Sequence, residues 1–125
     1  MQRLILLTAL CFAVLSVAPL YQQMKSDVLN LNQINFDTQI TKLMNTGGVS
    51  IVHFYSHGDG KSPDLKKEYE RFATEFKGIF KVGAVNCDES THLCEKHDAG
   101  VVDLPRFRIF PSMPMPAFNL DVMTW

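Results

Sequence analysis

The chain has 125 residues, of which 46% are hydrophobic and 20% are charged, and this composition predicts one globular domain with a single modest core. Its formal net charge is −1, from 12 basic and 13 acidic residues. A charge so close to zero provides no electrostatic footprint for nucleic acid or for an anionic membrane surface, so neither is expected as a partner.

The first 18 residues have the pattern of a secretory signal peptide. Met1-Gln2-Arg3 gives a short positive start, and an apolar run continues to the small residue Ala18. The run of about 15 residues is shorter than the ~20 that a membrane-spanning helix needs, so removal is favoured over anchoring, and no membrane contact is expected afterwards. Removal also takes away Cys11 and leaves Cys87 and Cys94 in a compartment that permits disulfides.

The first predicted elements are a strand, a helix and a second strand. Val28 to Leu31 predicts a short strand, and Asn35 is placed to cap a helix whose apolar residues recur at helical spacing from Phe36 to Met44. Val49 to Tyr55 is almost unbroken apolar and β-branched sequence. Such a run is typical of a central strand that is covered on both faces.

The elements after the polar loop from Ser56 to Lys61 continue this alternation. Ser62-Pro63-Asp64 predicts a helix start with a capping hydroxyl, and Ile79 to Val85 predicts a third strand. A short helix with Leu93 and Cys94 on its buried side follows, and Arg106 to Phe110 predicts a fourth strand. The order is therefore β-α-β-α-β-α-β, an α/β sheet with helices on both faces.

Four segments result from this pattern. After the signal peptide at 1–18, residues 19–26 are expected to be a linker and residues 27–111 a folded domain. Residues 112–125 form a tail rich in proline and methionine, with a candidate edge strand over 117–122 and no room for a substantial helix after it.

The domain resembles the thioredoxin-like domains of the protein disulfide isomerase family. The residues that carry the resemblance, in chain order, are Asn35-Phe36-Asp37, Val52-His53-Phe54-Tyr55, Leu65 to Tyr69, Lys81 to Glu89, Leu93 to His97, Leu104-Pro105 and Ile109-Phe110-Pro111. The resemblance implies a thioredoxin-like fold with a mixed central sheet and helices on both faces, here lacking the C-terminal helix of the family. It also implies a role in protein folding, in the lumen of the endoplasmic reticulum or after secretion.

The motif that gives this family its redox activity is replaced in this chain. Where family members have C-x-x-C, the sequence has Asp59-Gly60-Lys61-Ser62. Thiol–disulfide exchange needs one thiolate to attack and a second thiol to resolve the mixed disulfide, and neither a carboxylate nor a hydroxyl can replace them. The degenerate loop therefore predicts a redox-inactive protein with no catalytic residues, no metal and no cofactor.

Residues around this loop keep part of the family pattern. The glutamate and the tryptophan that support the family's active site correspond to His53 and Gly58, whereas Pro105 matches the family's cis-proline. The resemblance therefore implies a binding or chaperone-like module for unfolded or extended polypeptides. The candidate peptide-binding residues are Tyr55, His57, Gly58, Leu104 and Pro105.

The two remaining cysteines leave several alternatives open. Cys87 and Cys94 are expected to be buried free thiols, or a disulfide if their Cα atoms are about 4.4–6.8 Å apart. A zinc site with His92 and His97 is disfavoured, because the spacing matches no known finger or ribbon. The alternative function, thiol oxidoreductase activity, would have to use these two cysteines.

The C-terminal tail raises a further alternative. Without a closing helix, one apolar sheet face would be open to solvent. Either the tail folds back over it, or a partner subunit covers it, or the sequence is part of a longer protein. In the second case the chain is a structural subunit of a larger assembly.

Overall fold

The computed structural model describes residues 19–22 and 25–120. The predicted signal peptide and the residues after 120 lie outside this part of the chain. The elements, in order, are β1 (Leu29–Leu31), α1 (a π-helical turn Asp37–Thr41 followed by an α-helical turn Lys42–Asn45), β2 (Ser50–Tyr55), α2 (Ser62–Glu75), β3 (Lys81–Asn86), α3 (Thr91–Lys96), a 3-10 turn (Val101–Asp103), β4 (Arg106–Phe110) and β5 (Phe118–Leu120).

The strands form one mixed sheet in the order β1-β3-β2-β4-β5. The first three strands are parallel to one another, whereas β4 pairs antiparallel with β2 and with β5. Every residue of β2 is buried, as the unbroken apolar run predicts for the strand at the centre of a sheet. The predicted α/β fold, a mixed sheet with helices on both faces, is confirmed.

A separate apolar cluster covers each face of the sheet. On one face Phe36, which precedes α1, and Ile40 of α1 pack with Leu93 and Cys94 of α3. On the other face α2 contributes Tyr69 and Ala73, which pack against inward-facing residues of the strands. The side chains of β2 alternate between the two clusters, because successive residues of a strand point to opposite faces.

The segment before β1 belongs to the folded domain, although its sequence indicated a linker. Tyr21 is fully buried and packs in the same cluster as Tyr69 and Phe107. Its backbone oxygen accepts a hydrogen bond of 2.8 Å from the side chain of Asn30. The domain therefore begins at or before Leu20, whose side chain is partly buried against this cluster.

The first helix differs from its prediction at its start. The chain enters it through a wide π-helical turn, and the side chain of Asn35 does not cap it. Instead, that side chain accepts a hydrogen bond from the backbone N–H of Asn32 (2.7 Å) and donates one to the oxygen of Asn30 (3.1 Å). Asn35 therefore fixes the turn between β1 and the helix.

The C-terminal part is held by β5, by a loop contact at Met113 and by Ala117, which packs against the core. The observed edge strand Phe118–Leu120 lies within the predicted range 117–122, the last two residues of which are not described. The backbone N–H of Met113 donates to the oxygen of Met44 at 3.0 Å, which fixes the loop before β5. Phe118 remains 48% exposed, and among the described residues no helix follows β5. That a partner subunit covers the sheet face left open without a closing helix stays a prediction.

No helix in the described ranges is both long and apolar enough to span a bilayer.

Candidate functional site

The loops that carry the predicted site residues meet at one end of the sheet. Strands β2 and β3 are parallel, so the loops that follow Tyr55 and Asn86 leave the sheet at the same end, the C-terminal end of these strands. Because β4 is antiparallel to β2 and Phe54 pairs with Arg106, the residues just before β4 lie at that end of the sheet too. The backbone N–H of His57 joins two of these loops by donating to Oδ2 of Asp88 at 2.9 Å.

Asp59 closes the loop between β2 and α2 with both oxygens of its carboxylate. Oδ1 accepts from the backbone N–H groups of Lys61 (3.0 Å) and Ser62 (2.8 Å). Oδ2 accepts from the N–H of Ser56 (3.1 Å) and from the hydroxyl of Ser62 (2.6 Å). The helix cap predicted for the Ser62 hydroxyl is therefore supplied by the Asp59 carboxylate, which can satisfy several donors at once.

The remaining loop residues make an open turn. Gly60 has φ of 74°, a left-handed conformation that favours glycine. Gly58 is exposed and has no atom within 4 Å of the position that a Cβ would occupy. His57 and the backbone of Gly58 can therefore be contacted from solvent, whereas Ser62 is 1% exposed and lies beneath the loop.

A buried chain of hydrogen bonds runs beneath this loop from the N-terminal segment. The hydroxyl of Tyr21 lies 2.7 Å from Nδ1 of His53, and Nε2 of His53 lies 3.0 Å from Oγ of Ser62. The imidazole also stacks on the ring of Phe107, with ring centroids 4.3 Å apart. These contacts hold His53 on the α2 side of the central strand.

The pKa shifts decide which atom of this chain donates. Burial lowers the pKa of His53 to about 3, against an opposing effect of Asp59, so the imidazole is neutral. Partial burial would raise the pKa of Asp59, but its hydrogen bonds from Ser62, Ser56 and Lys61 outweigh burial and lower it. Burial, reinforced by Glu70, raises the pKa of the Tyr21 hydroxyl well above its usual value, so it keeps its proton.

One arrangement of protons satisfies these charges. Since Asp59 is ionised, the Ser62 hydroxyl donates to it and needs a donor of its own from Nε2–H of His53. Nδ1 of His53 then accepts from Tyr21. In this arrangement the imidazole donates to the serine, so it is not placed to accept the serine's proton.

The second half of the predicted peptide site is a cis-proline turn. The peptide bond between Leu104 and Pro105 is cis, and both residues are partly exposed. Tyr55, which the sequence grouped with the peptide-binding residues, is only 2% exposed, and its hydroxyl accepts from the backbone N–H of Leu20 at 3.1 Å. It supports the loop from the interior, because its ring packs edge-on against His57 at 6.3 Å between centroids.

The cysteines behind the loop are joined to each other. Cys87 and Cys94 form a disulfide with a Cα–Cα distance of 5.8 Å, which corrects the expectation of free thiols. The bond also removes the two thiolates that a zinc site with His92 and His97 would require. Among the described residues, no group of three or more His, Cys, Asp or Glu side chains is placed to hold a metal ion. Both half-cystines are buried, at 3% and 1% exposure.

The sequence did not indicate the roles of Tyr21 and Asp88 at this end of the molecule. Tyr21 was hidden in a short segment without periodicity, although its neighbours Pro19 and Leu20 are also apolar. Asp88 was noted only within the family-like run from Lys81 to Glu89, and its contact with the His57 N–H spans 31 positions. Such long-range contacts leave no local signal.

Comparison with known sequences places these features in a known group. The sequence profile of the family described as Thioredoxin matches residues 27–117. Protein disulfide-isomerase A6 of Mus musculus is 34% identical over 110 residues, which cover 88% of this chain and 24% of that protein. DnaJ homolog subfamily C member 10 of Mus musculus is 34% identical over 96 residues, which cover 76% of this chain and 11% of that protein.

Comparison with solved structures agrees with the sequence matches. The crystal structure of the J-Trx1 fragment of ERdj5 has a TM-score of 0.64 and 33% identity, and the match covers 76% of this chain and 44% of that one. The chain spans about a quarter or less of the length of the curated relatives it matches.

Proposed function

Because the chain belongs to the thioredoxin family, as the match over residues 27–117 shows, we propose that it is a redox-inactive member that binds extended polypeptides in the secretory pathway. In this proposal Asp59-Gly60-Lys61-Ser62 stands where active relatives have C-x-x-C. The family-level activity is thiol oxidoreduction and assistance to protein folding. This chain would retain the binding part and lack the electron transfer.

The observation that carries the proposal is the bonding of Asp59. Its two oxygens accept four hydrogen bonds from Ser56, Lys61 and Ser62, so its carboxylate is committed to holding the loop. The partner position, Ser62, is buried and donates its proton to the same carboxylate. Neither side chain supplies a sulfur atom, and thiol–disulfide exchange cannot proceed without one.

The cis-proline turn supports the binding role. The turn at Pro105 lies at the same end of the sheet as the open loop at His57 and Gly58. An extended peptide can add its backbone beside such a turn, as strands add to exposed backbone groups in other recognition domains. The apolar run at 1–18 supports entry into the secretory pathway, with residence in the endoplasmic reticulum or secretion.

The test is reduction of insulin disulfides by dithiothreitol, followed by turbidity. The proposal expects the wild-type protein to leave the rate at the level of dithiothreitol alone, and a Cys94→Ser variant to behave identically. A thiol-dependent acceleration by the wild type that Cys94→Ser removes would establish the alternative, an oxidoreductase that uses the Cys87–Cys94 disulfide. The burial of both half-cystines disfavours that alternative, because exchange requires access for the attacking thiolate.

A further inference from the structure

Two valines before the cis-proline turn point into solvent. Val101 is 70% exposed and Val102 is 94% exposed. Both belong to the 3-10 turn that leads into Leu104 and Pro105. Single exposed apolar residues are ordinary. Val101 and Val102, however, are adjacent and β-branched and lie beside the proposed peptide site, so together they form a small apolar protrusion, called the knob below.

The backbone beneath this knob is fixed at several points. The N–H of Asp103 donates to the oxygen of Gly100 at 2.9 Å, and the N–H of Ala99 donates to the oxygen of Cys94 at 2.8 Å. Cys94 is in turn tied by the disulfide to Cys87, the residue that follows β3. The knob is thus held on a braced turn, so little backbone freedom is lost when a partner binds.

Arg106 braces the same turn from the other side. Its guanidinium donates to the backbone oxygen of Asp98, lies 3.4 Å from the carboxylate of Asp98 and 3.8 Å from that of Asp103. The Arg106 side chain is 23% exposed, whereas those of Asp98 and Asp103 are 72% and 39% exposed. The two carboxylates therefore share one cation and leave an excess of negative charge beside the valines.

Negative charge is concentrated in this part of the chain. Residues 87–106 contain five acidic and two basic side chains, although the whole chain has a net charge of only −1. Glu95 is exposed and lines the same shallow pocket as Val101. This charge distribution opposes an anionic membrane and favours a cationic partner.

We propose that Val101 and Val102 are specificity-determining residues of the peptide site, which select extended segments in which an aliphatic side chain is flanked by lysine or arginine. The proposal rests on the proposed peptide-binding function and names its substrate class. The aliphatic side chain packs on the two valines, while the neighbouring basic groups lie near the carboxylates of Glu95, Asp98 and Asp103. β-Branched side chains suit this role because they lose little rotamer freedom on contact.

The test compares three fluorescein-labelled peptides by anisotropy. All are short and rich in serine: the first has a Leu-Val centre flanked by lysines, the second has the same centre flanked by glutamates, and the third has lysines but a serine centre. The wild-type protein is expected to bind the first peptide about tenfold more tightly than either of the others. The preference for lysine over glutamate is expected to shrink in Glu95→Gln and at high salt.

The matched variants are Val101→Ser with Val102→Ser, and Ile79→Ser as the control. Ile79 is 68% exposed and precedes β3, so it lies at the opposite end of the sheet from the proposed peptide site. The double variant is expected to lose about tenfold in affinity for the first peptide, and the control is expected to bind as the wild type does. Since all three side chains are exposed, the variants should keep the thermal stability of the parent.

The possible outcomes distinguish a failure of the proposal about the valines from a failure of the proposed peptide-binding function. If the wild type binds the peptides and the double valine variant binds them equally well, the valines are not the anchor, while peptide binding stands. If the wild type binds none of the peptides, the peptide-binding function and the inference both fail. If sedimentation shows a dimer that the double variant abolishes, a second copy occupies the knob and the inference is overturned.

Discussion

Acid should destabilise this protein well before its carboxyl groups are protonated, because His53 is buried in its neutral form. Burial lowers the pKa of His53 from its ordinary value of 6.5 to about 3 in the folded chain. The unfolded chain therefore takes up a proton below about pH 6.5 that the folded chain refuses. Stability is full above that pH and is lost progressively as the pH falls toward the folded-state value.

The size of the loss follows from proton linkage. A single group that is charged only in the unfolded state costs about 1.4 kcal/mol per pH unit, so lowering the pH from about 6.5 to about 4.5 costs roughly 3 kcal/mol for His53 alone. Burial also lowers the pKa of His97, to about 4. Because His97 is only half-buried, solvent screening reduces its share.

The assay is urea unfolding at a series of pH values from about 7.5 down to about 4.5, with the free energy of unfolding plotted against pH. His53→Gln keeps an acceptor for Tyr21 and a donor for Ser62 but cannot titrate in this range. Its overall stability will be lower, and its pH slope should fall by about one proton. His97→Gln should reduce the slope by less. A wild-type curve that is flat over this range, or an unchanged slope in His53→Gln, would refute the neutral buried imidazole.

Three further variants test separate contacts. Tyr21→Phe leaves the buried imidazole without its donor and should cost about 1–3 kcal/mol in urea unfolding, and a negligible loss would contradict the hydrogen bond. Cys87→Ser combined with Cys94→Ser opens a short cross-linked loop and should cost about 2–3 kcal/mol by thermal unfolding, and an unchanged midpoint would argue against the disulfide. Asp59→Asn loses the charge that holds the loop, so hydrogen exchange of the Ser62 amide should accelerate roughly tenfold; equal protection would show that the carboxylate is not the cap.

The sheet could be predicted because its signals are local. The run at the centre of the sequence, almost without polar residues, gave strand β2 within one residue of the observed Ser50–Tyr55. The start signal Ser62-Pro63-Asp64 likewise predicted helix α2, which begins at Ser62 and whose Tyr69 and Ala73 face the core. Periodicity reports which faces are buried, and burial of those faces decides the architecture.

The details of the site were less predictable because they depend on distant contacts. The sequence identified the loop from Asp59 to Ser62 but assigned the cap to the hydroxyl, whereas the nearby carboxylate can accept more hydrogen bonds. The burial of Tyr21 depends on His53, 32 residues later, and a short segment before a strand shows no periodicity that would reveal it.

The disulfide was also beyond local reasoning. Spacing alone could not choose between free thiols and a bond for Cys87 and Cys94, because the choice depends on how α3 turns back toward the end of β3. The turn at Ser90, whose oxygen accepts from the Cys94 N–H at 3.1 Å, brings the two Cα atoms to 5.8 Å. Only the folded path of the chain decides that distance.

We propose that this scaffold lacks redox activity because positions 59 and 62 lack sulfur, and placing cysteines there tests the proposal most directly. The double variant Asp59→Cys with Ser62→Cys should accelerate the reduction of insulin by dithiothreitol, while the wild type does not. Adding Cys87→Ser and Cys94→Ser to the double variant should leave the gained activity in place. If the wild type already turns over insulin, or if the restored pair gains nothing while the protein stays folded, the account is contradicted.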